Sequence, residues 1–267
     1  LKEVLNEVST DHPILIFHAS GHIGTANDEA LKMAGIDENT PDAEGGLIGR
    51  VQGSREPNGY LEEAPIMALQ VHMFKGNNID QHEILNLGQE VYIKNGITTV
   101  QDGATSGDTI NLFKSFSDKF KVDVVMYPLV AENPADLENN RDFVEKYHDR
   151  IKIGGYKMFL DGSPQGRTAW MTEPYEGEED YRGYPRYQDA EVKAFADTAI
   201  KADVQLLTHC NGDAASDQLI RSYKAALEDS DNPNKDHLRP VMIHCQTVRN
   251  DQLDKMKEIE MIPSIFV

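Results

Sequence analysis

From about residue 96 onward, short apolar runs alternate along the chain with segments of helical periodicity. Strands that alternate with helices are typical of βα units, which build parallel sheets through right-handed crossovers. The pattern predicts strands at residues 97–100, 122–129, 151–160, 204–207, 240–243 and 262–267. It predicts helices at residues 109–119, 134–147, 190–201, 214–227 and 251–258. These strands suffice for an open doubly wound sheet, whereas a closed (β/α)₈ barrel requires at least two more.

The first part of the chain has a different pattern. Gly, Pro, Asn and Asp are dense between residues 35 and 59, which is typical of turns. A short apolar run at residues 14–17 precedes them, and residues 69–94 have helical character. We therefore predict a loop-rich insertion of short strands at residues 1–70 and an α/β domain at residues 71–267.

Composition narrows the range of partners. The chain has 267 residues, with 45 acidic against 26 basic side chains and a net charge of −19. Such a charge disfavours nucleic acids and anionic membranes as partners, because both are negatively charged. The sequence has neither a run of about 18 apolar residues nor the pattern of a signal peptide. We therefore predict a cytoplasmic protein with no nucleic-acid or membrane partner.

The two ends of the chain are unusual. The first residue is Leu1, and residues 261–267 form an apolar run that is typical of a buried strand. Natural domains rarely stop on an unfinished strand, so we expect this chain to be part of a longer protein.

Two histidines directly follow predicted strands. His209 comes after the run at residues 204–208, and His244 comes after residues 240–243, one βα unit further on. Ligands bind at the carboxyl ends of parallel strands, and neutral imidazole is a common metal ligand. We therefore predict that His209 and His244 form part of a metal site, although each could instead be a buried core residue.

Each of these histidines is followed by a cysteine, Cys210 and Cys245. Because side chains alternate between the faces of a strand, a cysteine next to an inward-facing histidine points to the helix layer. We therefore predict two buried structural thiols rather than metal ligands.

Lys157 lies in a Gly-rich and apolar strand, where a buried ammonium is unfavourable. A lysine that has lost its proton can add CO₂ to form a carbamate, an anionic oxygen donor that can bridge two metals. Alternatively, Lys157 extends its ammonium to solvent from the strand end. The loop at residues 161–170 follows this strand and is predicted to form a wall of the substrate site.

Three of these segments together resemble one enzyme family: residues 156–163, 208–214 and 243–246. They are similar to amidohydrolase family 3, the YtcJ-like metal-dependent hydrolases of the amidohydrolase superfamily, a branch that includes N-substituted formamide deformylases. The first 100 residues support the resemblance through residues 21–31, 45–48, 58–62 and 96–100.

The resemblance implies a set of roles. Lys157 would be the carboxylated lysine that bridges two divalent metals, usually zinc, and His209 and His244 would bind the second metal. A metal-activated hydroxide would attack the carbonyl of an amide-type bond in a small molecule, of the N-acyl or N-formyl amine class. Four residues would lie near the substrate: His22, Asp161, Ser163 and Arg167.

The sequence also departs from the family pattern. The His-x-His pair of the first barrel strand is absent from the sequence, and the family's general-base Asp would lie beyond Val267. The resemblance therefore implies an incomplete TIM-type barrel, comprising strands two to the start of seven. We expect the isolated chain to be inactive and to form homo-oligomers through its open sheet edges. The alternatives are a non-catalytic α/β domain that binds small molecules without metal, and a doubly wound enzyme without metal.

Overall fold

A computed structural model of the protein describes residues 1–42, 46–74 and 80–266. Two units are distinguished by their internal contacts, and each is described by itself. The first comprises Leu1–Asn78 and Asp161–Arg186, and the second comprises Ile79–Leu160 and Tyr187–Val267. The first unit thus contains the whole range predicted as a loop-rich insertion, residues 1–70, and in addition the segment that follows Leu160.

The first unit contains an antiparallel sheet. Its elements along the chain are α1 (Lys2–Val8), β1 (Leu15–Phe17), β2 (Ile23–Ala26), α2 (Asp28–Met33), β3 (Gly46–Arg50), β4 (Pro57–Glu63) and α3 (Ala64–Phe74). The strands pair in the order β1-β2-β4-β3. Asn27 is the N-cap residue of α2, since its side-chain oxygen accepts a hydrogen bond from the backbone N–H of Ala30. The short strands agree with the sequence pattern, whereas α1 and α2 were not predicted.

The second unit alternates helices and strands. They are α4 (Gln81–Lys94), β5 (Thr99–Thr105), α5 (Gly107–Phe116), β6 (Asp123–Pro128), α6 (Ala135–Glu138), β7 (Ile151–Ile153), β8 (Gly155–Phe159), α7 (Asp189–Lys201), β9 (Gln205–Cys210), α8 (Asp213–Asp229), β10 (Val241–His244), α9 (Asn250–Glu258) and β11 (Ile262–Ile265). Predicted helices 109–119, 190–201, 214–227 and 251–258 correspond to α5, α7, α8 and α9. The last predicted strand corresponds to β11, and residue 267 lies outside the described residues.

All strands of the second unit run parallel to their neighbours. They pair in the orders β5-β6-β7 and β8-β9-β10-β11. Within each of these two sheets, every strand lies beside the next one in the sequence, without the reversal of order that defines a doubly wound sheet. The α/β fold with parallel sheets is therefore confirmed, and the doubly wound alternative is not what the structure shows. Closure of a barrel stays a prediction.

The predicted strand at residues 151–160 is divided into β7 and β8 at Gly154. β7 pairs with β6, whereas β8 pairs with β9. Gly155 has a φ of +154°, and its Cα lies so close to β9 that a Cβ would be 2.0 Å from the Gln205 carbonyl oxygen. The two glycines therefore allow the chain to bend and the backbones of β8 and β9 to meet.

The predicted helix at residues 134–147 is wrong for most of its length. α6 ends at Glu138, and a short 3₁₀ turn follows at Arg141–Phe143. The side chain of Asn140 donates a hydrogen bond to the Asp136 carbonyl, which a continuing helix would reserve for a backbone N–H. Asparagine competes in this way with helical hydrogen bonds, and two of them follow one another here.

The helical segment predicted at residues 69–94 corresponds to the end of α3 and to α4, while residues 75–79 lie outside the described residues. In the part of the chain that the structure describes, no helix has the length and hydrophobicity needed to cross a membrane.

Candidate metal centre

The two predicted imidazole ligands lie next to each other in the second unit. His209 is near the end of β9 and is 2% exposed, and His244 is the last residue of the adjacent strand β10. Nδ1 of His209 is 3.1 Å from Nε2 of His244, and the ring centroids are 4.6 Å apart. Both histidines thus lie at the strand ends where the sequence predicted them, and in the structure their ring nitrogens are within hydrogen-bonding distance of each other.

Strand register alone does not produce this contact. In the parallel ladder, His209 pairs with Ile243, and His244 pairs with Cys210. Alternation would thus place the two imidazoles on opposite faces of the sheet. However, His244 has a φ of +76° and Cys245 one of +52°, values that are rare for residues other than glycine. We attribute the approach of His244 to His209 to this departure from strand geometry.

Phe159 and Asn211 surround His209. The Phe159 ring packs against the His209 ring with centroids 5.2 Å apart. The Asn211 side-chain amide contacts the other ring nitrogen: its Nδ2 lies 3.2 Å from Nε2 of His209. Both nitrogens of the His209 ring are therefore in hydrogen-bonding contact with other side chains.

Lys157 is buried in β8 and is 4% exposed, so it does not extend its ammonium to solvent. Its partner across the ladder is Leu207, and Phe159 pairs with His209 two residues further on. Lys157, Phe159 and His209 therefore share one face of the sheet. The Lys157 Nζ lies 4.6 Å from the centroid of the Phe159 ring.

Burial lowers the pKa of Lys157 from 10.5 to about 7, and a smaller charge interaction with Cys210 opposes the shift. Among the described residues, no carboxylate contributes to this shift or opposes it. Near neutral pH, a large fraction of Lys157 is therefore the neutral amine, the form that reacts with CO₂.

These residues fit part of a metal site. Two nitrogen ligands on one tetrahedral zinc lie about 3.3 Å apart, given Zn–N bonds of about 2.0–2.1 Å. The separation of 3.1 Å between the two imidazole nitrogens is close to that value. Within residues 1–42, 46–74 and 80–266, however, no three His, Cys, Asp or Glu side chains cluster as a metal site. The described donors are thus an imidazole pair together with a lysine that must be modified to become a ligand.

The cysteines have the environments predicted for structural thiols. Sγ of Cys210 lies 3.5 Å from Oγ of Ser216 on α8, which places this thiol on the helix side of the sheet. Sγ of Cys245 contacts Sδ of Met242, and burial raises the pKa of Cys245 to about 11. A protonated thiol is a poor metal ligand.

The four predicted substrate-binding residues belong to the first unit. Asp161 and Ser163 are buried: Oδ2 of Asp161 accepts a hydrogen bond from the Trp170 backbone, and Oγ of Ser163 accepts one from Gly166. Arg167 forms an ion pair with Glu178 at 3.0 Å and is exposed. The substrate-binding role of these residues stays a prediction.

Sequence reasoning missed a pair of buried carboxylates at the end of β4. Glu63 is 1% exposed, and its oxygens lie 3.0 and 3.1 Å from Nδ1 of His22, the remaining predicted substrate-binding residue. Glu62 accepts hydrogen bonds from the hydroxyls of Tyr60 and Tyr184. Burial, together with Glu62, raises the pKa of both tyrosines. Two consecutive glutamates at the end of an otherwise buried strand were the signal that could have revealed this cluster.

Comparison with known proteins assigns the chain to a family. The family model described as "Amidohydrolase family" matches residues 2–267. The chain belongs to the amidohydrolase family. The resemblance recognised in the sequence is therefore confirmed.

Individual relatives are distant. YtcJ of Bacillus subtilis is 25% identical over 95% of this chain and 47% of its own length. An N-substituted formamide deformylase of Arthrobacter pascens is 26% identical over 85% of this chain and 43% of its own length. The chain spans about half the length of the curated relatives it matches.

Solved structures share this fold. A crystal structure of an uncharacterized metal-dependent hydrolase from Pyrococcus horikoshii matches 99% of this chain and 50% of its own, with a TM-score of 0.72 and 19% identity. Parallel strands alternating with helices are thus an arrangement that a second, distant sequence also adopts.

Proposed function

We propose that this chain carries part of the active site of a metal-dependent hydrolase that cleaves a C–N amide-type bond in a small molecule. The contact between His209 and His244, with the buried Lys157 on the same face of the sheet as His209, is the observation that carries the proposal. Family membership supports hydrolysis. The distant formamide deformylase supports N-formyl or N-acyl amines as the substrate class.

Lys157 contributes a reactive neutral amine. Its nitrogen lone pair attacks the carbon of CO₂, an N–C bond forms, and the amine releases one proton to solvent. The product is a carbamate, whose oxygens are hard donors suited to divalent metals. Burial favours the attacking neutral amine, because it lowers the pKa of Lys157 and so reduces the fraction of the ammonium form.

His209 and His244 would hold a divalent metal through Nδ1 and Nε2, the nitrogens that face each other. A metal bound there would activate water and polarise the substrate carbonyl. The apolar Phe159 ring shields both Lys157 and His209 on this face of the sheet. We propose that His22, Asp161, Ser163 and Arg167 contact the substrate.

We expect little or no turnover from this chain by itself. It provides two imidazoles and one modified lysine, but the sequence has no His-x-His pair and no assigned general base. Hydrolysis of an N-formyl amine should therefore stay at the uncatalysed rate, and this can be measured by amine release. Turnover that disappears in His209→Ala would contradict the expectation.

Metal content per chain tests the proposed function. Protein purified without chelator, then incubated with zinc and bicarbonate and desalted, should retain about one zinc per chain. His209→Ala and Lys157→Ala should lose it, because each removes a predicted ligand. His237→Ala is the matched control, since it removes an exposed imidazole from the same unit.

Two outcomes would contradict the proposal. Zinc retained by His209→Ala would show that the metal binds elsewhere. A wild-type chain that holds no more zinc than His209→Ala would favour a small-molecule-binding domain without metal.

Two earlier expectations stay predictions. The terminal strands are β5 and β7 in one parallel sheet and β8 and β11 in the other, and Ile265 and Phe266 are exposed at the end of β11. We expect homo-oligomers formed through these edges, which light scattering would detect as particles larger than one chain. A monomer in this measurement would contradict the prediction. The cytoplasmic location also stays a prediction.

A further inference from the structure

Asn211 lies in the loop that follows β9 and connects it by hydrogen bonds to the loop that follows β10. Its carbonyl accepts hydrogen bonds from the backbone N–H of Thr247 at 3.1 Å and from Oγ1 of Thr247 at 2.8 Å. Its side chain is 4% exposed and reaches back to Nε2 of His209 at 3.2 Å. The backbone is thus held from one side, while the amide contacts the imidazole on the other.

The hydrogen-bonding chemistry of this contact determines the state of His209. A neutral imidazole has one N–H donor and one lone-pair acceptor. If the amide NH₂ donates to Nε2, the proton must be on Nδ1, and Nδ1–H donates to Nε2 of His244. The nitrogen that faces His244 then has no lone pair to offer.

The opposite amide orientation reverses this state. A rotation of the Asn211 amide by half a turn exchanges NH₂ and C=O at nearly the same positions. The amide oxygen then accepts from Nε2–H, and the lone pair of Nδ1 faces His244. Asparagine is suited to both states because its side chain carries a donor and an acceptor of similar shape.

We propose that Asn211 is a positioning residue that selects the His209 tautomer with its proton on Nε2 and its lone pair on Nδ1 when a divalent metal binds between His209 and His244. This inference rests on the proposed function. Partners of the second ring nitrogen commonly orient metal-binding histidines, and their removal typically weakens metal binding about 10- to 100-fold.

Two substitutions at Asn211 separate the tautomer effect from packing. Asn211→Asp keeps the shape of the side chain. An ionised carboxylate accepts hydrogen bonds but cannot donate one, so this variant favours the His209 tautomer with the proton on Nε2. Asn211→Leu keeps much of the volume and can hold neither tautomer. Thr247→Val is the matched control, because it removes the hydroxyl bond to the Asn211 backbone but leaves the amide-to-imidazole contact.

The first readout is zinc affinity, measured by titration of the full chain. We expect Asn211→Leu to bind zinc about 10- to 100-fold more weakly than the wild type, and Asn211→Asp to bind it at least as tightly. Equal affinity in Asn211→Leu and the wild type would overturn the proposal. So would a loss in Thr247→Val as large as that in Asn211→Leu, because loop anchoring would then explain the effect.

The second readout is the ¹⁵N spectrum of His209 in metal-free protein, recorded where the imidazole is neutral. We expect the Nδ1–H tautomer in the wild type and the Nε2–H tautomer in Asn211→Asp. The same tautomer in both would overturn the proposal, even if Asn211→Leu fails to fold. This measurement needs no metal, so it tests the role of Asn211 independently of the proposed metal site. The metal site itself is tested by zinc retention in the wild type and in His209→Ala.

Discussion

Replacing Lys157 with Met should stabilise the chain below pH 7 and lose this advantage as the pH approaches 10.5. The folded protein holds the Lys157 pKa at about 7, whereas an unburied lysine has a pKa of 10.5. The difference corresponds to about 5 kcal/mol of unfavourable free energy when the buried amine is charged. Met has a similar length and no charge, so it removes this penalty.

The dependence on pH follows from the protons that each state binds. Between pH 7 and 10.5, the folded chain has released the Lys157 proton, and the unfolded chain still holds it. Raising the pH across this window therefore stabilises the folded wild-type protein, by up to about 1.4 kcal/mol per pH unit. Below pH 7 the Lys157 side chain is charged in both the folded and the unfolded chain, so the full cost of burying the charge destabilises the wild type. Above pH 10.5 it is neutral in both, and this cost is absent.

Urea denaturation at a series of pH values, in buffer purged of CO₂, would measure this effect. The quantity to compare is the difference in free energy of unfolding between the wild type and Lys157→Met, because other titrating groups cancel in it. Lys146→Met provides the control for losing an exposed positive charge. Parallel curves for the wild type and Lys157→Met would show that the Lys157 amine is hydrated in solution.

Gly155→Ala should destabilise the protein by about 3 kcal/mol or more. The new Cβ would meet the Gln205 carbonyl oxygen at 2.0 Å, so β8 and β9 would have to separate. A carbonyl within a strand cannot move aside as a flexible side chain can. The φ of +154° at Gly155 is also rarely adopted by residues other than glycine.

Gly88→Ala is the matched control and should have the opposite sign. Gly88 lies inside α4, and a Cβ there meets no atom within 4 Å. Alanine should therefore stabilise the helix by about 1 kcal/mol. Urea denaturation of the two variants beside the wild type checks both expectations. A Gly155→Ala protein as stable as Gly88→Ala would show that the two strands separate without a large penalty.

The separation of β8 from β9 would also displace residues of the candidate metal centre. Phe159 of β8 pairs directly with His209 of β9, and its ring contacts that imidazole. A displaced β8 would move Lys157 and Phe159 relative to His209. We therefore expect weaker zinc retention in Gly155→Ala than in Gly88→Ala, measured in the same desalting experiment.

The periodic parts of the sequence predicted much of the fold. Apolar runs and helical periodicity located β5, β6, β9, β10 and β11, as well as the helices α5, α7, α8 and α9. These elements have clear patterns because each buries one face against its neighbours. The prediction failed at α6, where the Asn140 side chain takes over a helical hydrogen-bond acceptor and no periodic pattern signals the break.

The candidate site could be predicted only in outline. Position after a strand was enough to select His209 and His244, because parallel strands present their ends at one edge of a sheet. The contact between the two rings is accompanied by a positive φ at His244. Residues other than glycine rarely adopt such an angle, so nothing in the sequence predicts it at this position. The buried carboxylates Glu62 and Glu63 were missed, because their burial depends on residues far away in the sequence, such as Tyr184 and His22.

The sequence by itself determined the family, the parallel α/β arrangement and the strand-end location of the histidines, because local periodicity and short motifs encode them. Only the tertiary structure decided between a buried and a solvent-directed Lys157, brought the imidazole nitrogens to 3.1 Å and placed Asn211 on His209. These features depend on backbone angles and on packing between residues distant in the chain. Burial and short contacts are properties of that packing, and they in turn lower the pKa of Lys157.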